Sequence, residues 1–315
     1  MRISCHPDRV QQASPYMWTR VNERREHYRE QIPLIFGATA ELYYAHWGEF
    51  LHLAVFDAGE DPVDFDAALE RTHARYLEAL GGVSAGRILD LATGGGAVAE
   101  WLARRTSGTV VGVDLADAQL ARARPRLDGG DLPNLRFLRY DIMEIAQLEE
   151  PPFDAAVCLD AGCYLPDRAA ALRGIATRLR PGARFLLVDW CRAEHPSGLQ
   201  EELILEPFHR YWGIPEMETV AGYERAFADA EFNLIEIEDL SPRVGPNWER
   251  AYQTAQCALA TSFAPLDLVR IAAGALRHGP AEVRVLKDQF YATVFAKAAA
   301  DAGLLRYVFF LAERG

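Results

Sequence analysis

The chain has 315 residues, half of them hydrophobic and a quarter charged, which suits one large globular domain or two modest ones. A net charge of −12 argues against a broad nucleic-acid or anionic-membrane surface, and no apolar run reaches the ~18 residues needed to span a bilayer. The five cysteines (Cys5, Cys158, Cys163, Cys191 and Cys257) are odd in number and widely spaced without CxxC, so neither a disulfide framework nor a zinc site is indicated.

The opening MRISCHPDRVQQASP lacks an apolar core of signal-peptide length, so export is not expected and a reducing cytoplasm fits best. Residues 1–82 show no strand by pattern. Trp18 to Glu30 is charge-rich and reads as a solvated helix. Ala40 to Phe56 is dense in aromatics, including Tyr43, Tyr44, Trp47, Phe50 and His52. Phe65 to Leu80 reads as an amphipathic helix with Leu69, Tyr76, Leu77 and Leu80 on one face, ended by Gly81-Gly82.

From residue 86 strands and helices alternate. Arg87–Leu91, Thr109–Asp114, Leu135–Tyr140, Phe153–Leu159 and Ala183–Trp190 read as strands. A helix carrying Leu172, Ile175 and Leu179 precedes the last of these and stops at Pro181-Gly182. Near-continuous apolar strands separated by helices imply a parallel sheet covered on both faces. Asn233–Leu240 and Arg306–Ala312 read as two late strands, and the span between them reads as helical from Trp248 to Leu276 and from Ala281 to Ala300. The chain thus divides into a helical lid and substrate region, 1–82, and a core, 83–315, with helical insertions at about 191–230 and 241–300.

The stretch ILDLATGGGAVAEWLA (Ile88 to Ala103) carries the most chemistry. A short strand bearing Asp90 runs into Gly94, Gly95 and Gly96, and a helix with Val98, Trp101 and Leu102 follows. Such a turn lets a ligand approach the backbone and leaves helix-start N–H groups free. Two cofactors compete for it. Gly94-x-Gly96-x-x-Ala99 fits the dinucleotide pattern, with Asp114 twenty residues on as a ribose-binding acid, which would make the chain an NAD(P)-dependent oxidoreductase. Asp90, however, has no role in that reading.

Asp90 through Gly96 resembles the [DE]-x-G-x-G-x-G motif of class I S-adenosylmethionine-dependent methyltransferases, with Ala92 in place of the first glycine. Asp141-Ile142 after the third strand resembles the pair that holds adenine in that superfamily, and the two late strands resemble the antiparallel pair that closes its sheet. LYYAHWGEFLHL (Leu42–Leu53), GCYLPD (Gly162–Asp167), DLSPRVGPNWER (Asp239–Arg250) and RYVFFLAERG are similar to stretches of its small-molecule members. These are the sarcosine/dimethylglycine, geranyl diphosphate C-methyl and natural-product tailoring enzymes.

The resemblance implies an α/β fold: a Rossmann-like, doubly wound, seven-stranded sheet of order 3-2-1-4-5-7-6. It implies S-adenosyl-L-methionine as cofactor, with Asp90, Ala92, Gly94 and Gly96 on the methionine part, Asp114 and Leu115 on the ribose, and Asp141 and Ile142 beside the adenine. Tyr44 and Trp47 join this set as a roof, and Asp160 as an orienting group. Bland readings stand beside these: a plain tight turn, a helix N-cap at Asp114, and core packing for the aromatics. The expected reaction is methyl transfer to a small-molecule acceptor, with nitrogen slightly favoured over carbon or oxygen. Asp160, Tyr164, His52 and His209 are the candidate bases, and His209, Tyr211, Trp212 and Trp248 are candidates to line the acceptor pocket. No metal, nucleic acid or membrane partner is expected; a homodimer and a non-catalytic role on the same scaffold are left open.

Overall fold

A computed structural model describes residues 21–82, 86–128, 130–260 and 280–315. The expectations at Cys5 and Trp18, and the helical reading across 261–279 to Leu276, lie outside the described residues. Seven strands make one sheet of order β3-β2-β1-β4-β5-β7-β6. They are β1 (Ile88–Leu91), β2 (Val110–Asp114), β3 (Leu135–Arg139), β4 (Phe153–Leu159), β5 (Leu179–Arg192), β6 (Phe232–Asp239) and β7 (Leu305–Arg314). The first five run parallel, and β7 is antiparallel to both β5 and β6. This is the Rossmann-like order expected. The usual dinucleotide fold ends 4-5-6 with all strands parallel, so the antiparallel β7 removes the topological support for an NAD(P) enzyme.

The central strands owe their place to sequence. Every residue of β1 and β2 is buried, which suits ILDL and VVGVD to a sheet covered on both faces. The covering helices are α1 (Val21–His46), α2 (Phe65–Ala79), α3 (Ala97–Ala103), α4 (Asp117–Ala123) and α5 (Arg168–Arg178). Between β5 and β6 lie α6 (Gly198–Gln200), a π-helical turn (Glu201–Leu205), α7 (Glu206–Trp212) and α8 (Val220–Asp229). Between β6 and β7 lie α9 (Gly245–Ala260) and α10 (Pro280–Asp301). No described helix is long and apolar enough to cross a membrane.

Three elements differ from their sequence readings. The charge-rich start of α1 is solvated on one face only: Glu26, Arg29 and Glu30 are exposed, while Tyr28, with Ile32 and Ile35 beyond it, is buried. From the exposed face Arg29 pairs with Asp141 and Glu144. The buried stripe of α2 is Ala68, Thr72, His73 and Tyr76, with Leu69 and Leu77 only half-buried, because the helix turns its polar side chains toward partners in the core. Thr72 Oγ1, for example, accepts the Val55 N–H at 3.0 Å. Pro181-Gly182 does not separate a helix from a strand; α5 ends earlier, and β5 already pairs Leu179 with Phe153 before a register shift carries it to Arg184 opposite Ala155.

Candidate active site

The penultimate residue of β1 is Asp90, 3% exposed, whose Oδ2 accepts the Thr93 hydroxyl at 2.6 Å. Burial pushes its carboxyl up to about 7; the Thr93 bond opposes this and the Asp114 charge adds to it. At the end of β2, Asp114 accepts Gly94 N–H on Oδ2 and Ala116 N–H on Oδ1, both at 2.8 Å. Burial raises it to about 6 against those backbone bonds. Asp114 therefore also braces the glycine turn, while the N-cap of α4 is Ala116.

The turn residues divide the work. Gly94 and Gly96 adopt φ of +56° and +77°, which favours glycine. Gly95 donates its N–H to Tyr44 Oη at 2.8 Å, and a Cβ there would lie 2.5 Å from that oxygen. Gly96 faces away from the cavity: a Cβ would strike Phe137 at 2.5 Å, so its smallness packs α3 against the sheet. Ala92 also has positive φ, +55°. A left-handed alanine costs roughly 1–2 kcal/mol relative to an unstrained residue. Ala92→Gly is expected to stabilise the fold by ~1 kcal/mol after the entropy of the unfolded glycine is counted, read as an upward shift in Tm. A lowered Tm would show that the methyl group packs usefully.

One large cavity opens over the carboxyl ends of β1, β2, β4 and β5 and runs beneath α1, α9 and α10. Asp90, Ala92, Gly94, Gly95, Asp114, Leu115 and Ile142 line one end, with Tyr28 and Gln119, which sequence reasoning missed. Tyr44 joins them through its hydroxyl, which donates to Gln119 Oε1 at 2.6 Å while the Arg122 guanidinium lies 3.8 Å from its ring centre. Trp47 lines the cavity with Arg250 over its ring. Asp141 does not line it. Its Oδ1 accepts Met143 N–H and its Oδ2 accepts Arg29 Nε, each at 2.8 Å, while its neighbours Tyr140 and Ile142 reach the cavity wall.

The other end is aromatic. Phe36, Tyr43, Tyr164, Trp190, Trp212 and Trp248 line it, together with Gln289 and Phe290 from α10. Tyr43 donates to Gln289 Oε1 at 2.7 Å, and Trp212 Nε1 donates to Tyr164 Oη at 2.6 Å. No lysine or arginine lines the cavity among the described residues.

The four candidate bases part company here. His209 is not in the lining, and burial beside Arg192 and Arg168 drives it down to about 3. Tyr211, expected in the acceptor pocket, instead stacks on Phe295 outside it. His52 lines the cavity, but Nδ1 lies 3.2 Å from Leu53 O and Nε2 lies 2.7 Å from His73 Nε2. Burial holds it down at about 4, so it is neutral and both nitrogens are engaged. Tyr164 Oη is raised well above its ordinary value by burial. Asp160, just past β4, has φ of +54° and presents Oδ1 to the Tyr307 hydroxyl at 2.5 Å. The Leu53 backbone N–H and the Trp190 side chain also turn toward this buried carboxyl. Burial holds this carboxyl well above the ordinary range; the Tyr307 bond opposes that and Asp189 adds to it.

A charged ligand with a diol suits the first end: two buried carboxylates, a backbone laid bare by glycine, and no competing cation. Among the described residues no cluster of three His, Cys, Asp or Glu side chains is placed to hold a metal.

Comparison with known proteins agrees with this geometry. Residues 88–182 match the family model described as "Methyltransferase domain". The sterol 24-C-methyltransferase of Saccharomyces cerevisiae is 28% identical over 70% of this chain, and the match spans 57% of that enzyme's length. The 27-O-demethylrifamycin SV methyltransferase of Amycolatopsis mediterranei is 28% identical over 69% of this chain and 78% of its own. In structure, geranyl diphosphate C-methyltransferase from Streptomyces coelicolor A3(2), solved with S-adenosyl-L-homocysteine, superposes with a TM-score of 0.64 at 17% identity, over 91% of this chain and 98% of that one.

Proposed function

This chain carries a class I S-adenosylmethionine-dependent methyltransferase domain, and from that premise we propose that it methylates a small, uncharged, largely apolar acceptor held in the aromatic end of the cavity. The observation that carries this reading is the lining: aromatic rings and aliphatic walls with no lysine or arginine among the described residues. A diphosphate or other anionic acceptor would be buried there without a counter-charge, which is costly. The relatives whose names give a methylated atom, a sterol carbon and an oxygen of rifamycin, speak for apolar acceptors and give nitrogen no preference.

When bound, the cofactor supplies an electrophilic methyl group and leaves as a thioether that keeps the electrons of the broken C–S bond. Asp90 would take the positively charged amino-acid end, Asp114 and Leu115 the ribose, and Ile142 the adenine face. Tyr44, tied to Gly95 and Gln119, roofs this end. The protein's main contribution is alignment, which can be worth ~7–11 kcal/mol of barrier. The helices α1, α9 and α10 would exclude water from the charge that disappears during transfer.

Incubation with S-adenosyl-[methyl-¹⁴C]-methionine and a cell extract, followed by solvent partition, tests the acceptor class. Label should enter the organic phase; label confined to water-soluble amines or acids would overturn the reading.

Cofactor affinity should also depend on pH. The ligand's positive charge selects ionised Asp90, whose carboxyl in the free protein holds its proton up to about pH 7. Below that value binding must first expel the proton, so affinity falls by up to a factor of ten per pH unit. Calorimetry with S-adenosylhomocysteine should give a Kd about tenfold weaker at pH 6 than at pH 8. A flat profile would show that Asp90 does not meet the charged end.

A further inference from the structure

We propose that the acceptor molecule carries a carbonyl oxygen, held by a hydrogen bond from the Tyr164 hydroxyl. This inference rests on the apolar-acceptor reading and narrows it to an apolar ketone or ester docked on the aromatic wall.

Tyr164 ends a short helical turn (Gly162–Tyr164) just past β4 and lines the aromatic end of the cavity. Ligands of open α/β sheets sit outside the carboxyl ends of the strands, so the residue stands where an acceptor would rest. Its ring meets Phe36 edge-on, with centroids 5.6 Å apart and planes at 73°. Its oxygen takes the Trp212 indole N–H at 2.6 Å. Trp212 is held edge-on by Trp190, centroids 4.8 Å apart, and packs on Phe208, so this N–H has a fixed aim.

The direction of that bond decides what Tyr164 has left to offer. An indole N–H only donates, so Tyr164 accepts it with a lone pair. The phenol hydrogen is then unspent. Among the described residues Trp212 is the one hydrogen-bond partner of this hydroxyl. Burial raises the phenol well above its ordinary value, so the hydrogen stays in place at neutral pH. Buried donors are nearly always satisfied, and one left without an acceptor costs ~1–3 kcal/mol. Tyr43, by contrast, spends its hydrogen on Gln289 Oε1 at 2.7 Å.

The unspent hydrogen selects its partner. It needs an oxygen lone pair. A carbonyl supplies one and brings no hydrogen of its own, which would need a second acceptor beside the Phe36 and Trp212 rings. An alkene or alkyl group in the same place leaves the donor unmet. The bond also orients an otherwise apolar molecule, as single polar groups do in apolar pockets.

Equilibrium dialysis of the full chain, saturated with S-adenosylhomocysteine, against 2-acetylnaphthalene and its carbon isostere 2-isopropenylnaphthalene tests this directly. The ketone should bind at least ~5-fold more tightly. Tyr164→Phe alone would free the Trp212 N–H to stand in for the lost donor. Trp212→Phe is therefore compared with the double variant Tyr164→Phe/Trp212→Phe, from which it differs only by the phenol oxygen. The preference should persist in the first and fall below ~2-fold in the second. Equal binding of the two probes by the unaltered protein, or the same preference in both variants, would overturn the carbonyl site. Failure of both probes to bind would instead overturn the apolar acceptor cavity itself. In infrared spectra the C=O stretch of the bound ketone, marked by ¹³C, should lie below its frequency in hexane and return toward it in the double variant; a stretch at the hexane frequency in the unaltered protein would refute the proposal.

Discussion

Replacing Asp90 with asparagine is expected to weaken S-adenosylhomocysteine binding by ~10²–10⁴-fold while making the ligand-free protein more heat-stable at pH 8. The first effect follows from removing one partner of a buried charge pair, roughly 3–5 kcal/mol. The second follows from the sign of the protonation linkage. The folded Asp90 carboxyl, raised to about 7, lies above the ordinary carboxylate value. Its contribution to stability is therefore fully present at low pH and is lost as pH rises through about 7. At pH 8 the ligand-free protein keeps a charge in a buried site, and asparagine can still accept the Thr93 bond without that charge. A melting curve and a calorimetric titration on the same sample check both halves. Tight binding by the variant would remove Asp90 from the cofactor site, and a lowered Tm at pH 8 would show that its charge is not strained.

Asp160→Asn is expected to lower kcat by ~10²–10⁴-fold, the usual worth of a positioned proton acceptor, while the Kd for S-adenosylhomocysteine changes by less than about threefold. Asparagine tolerates the left-handed backbone that Asp160 adopts at φ +54°, so the loss will not be a folding defect. Among the four candidate bases Asp160 is the carboxylate that lines the cavity. A kcat near that of the unaltered protein would move the role to another group.

Much of the fold was legible because its signals are local. Strands such as Val110–Asp114 and Phe153–Leu159 are apolar but for one aspartate each and bounded by turn residues, so their buried, parallel placement follows from composition. The proposed methyl-donor end was legible for the same reason, since Asp90, the three glycines and Asp114 stand at fixed spacing on a strand–turn–helix unit. The acceptor end was not. Trp190 reads as the last residue of a core strand, and nothing in its neighbours shows that it lines a cavity. Gln289 and Tyr28 come from helices that meet the cavity only through tertiary packing. His209 shows the converse: a histidine among aromatics in an insertion looks catalytic, yet α7 packs it away from the cavity beside Arg192 and Arg168. Asp141 was found by its motif, but Arg29, more than a hundred residues earlier, holds the oxygen on which its expected role depends.

The central claim is that the glycine turn with its two acids is a sulfonium-cofactor site. Tryptophan-fluorescence titration with S-adenosylhomocysteine and, separately, with NADH tests it most directly. The geometry predicts saturable binding of S-adenosylhomocysteine, lost in Asp90→Asn, and no saturation by NADH. Saturation by NADH with no response to S-adenosylhomocysteine would contradict it.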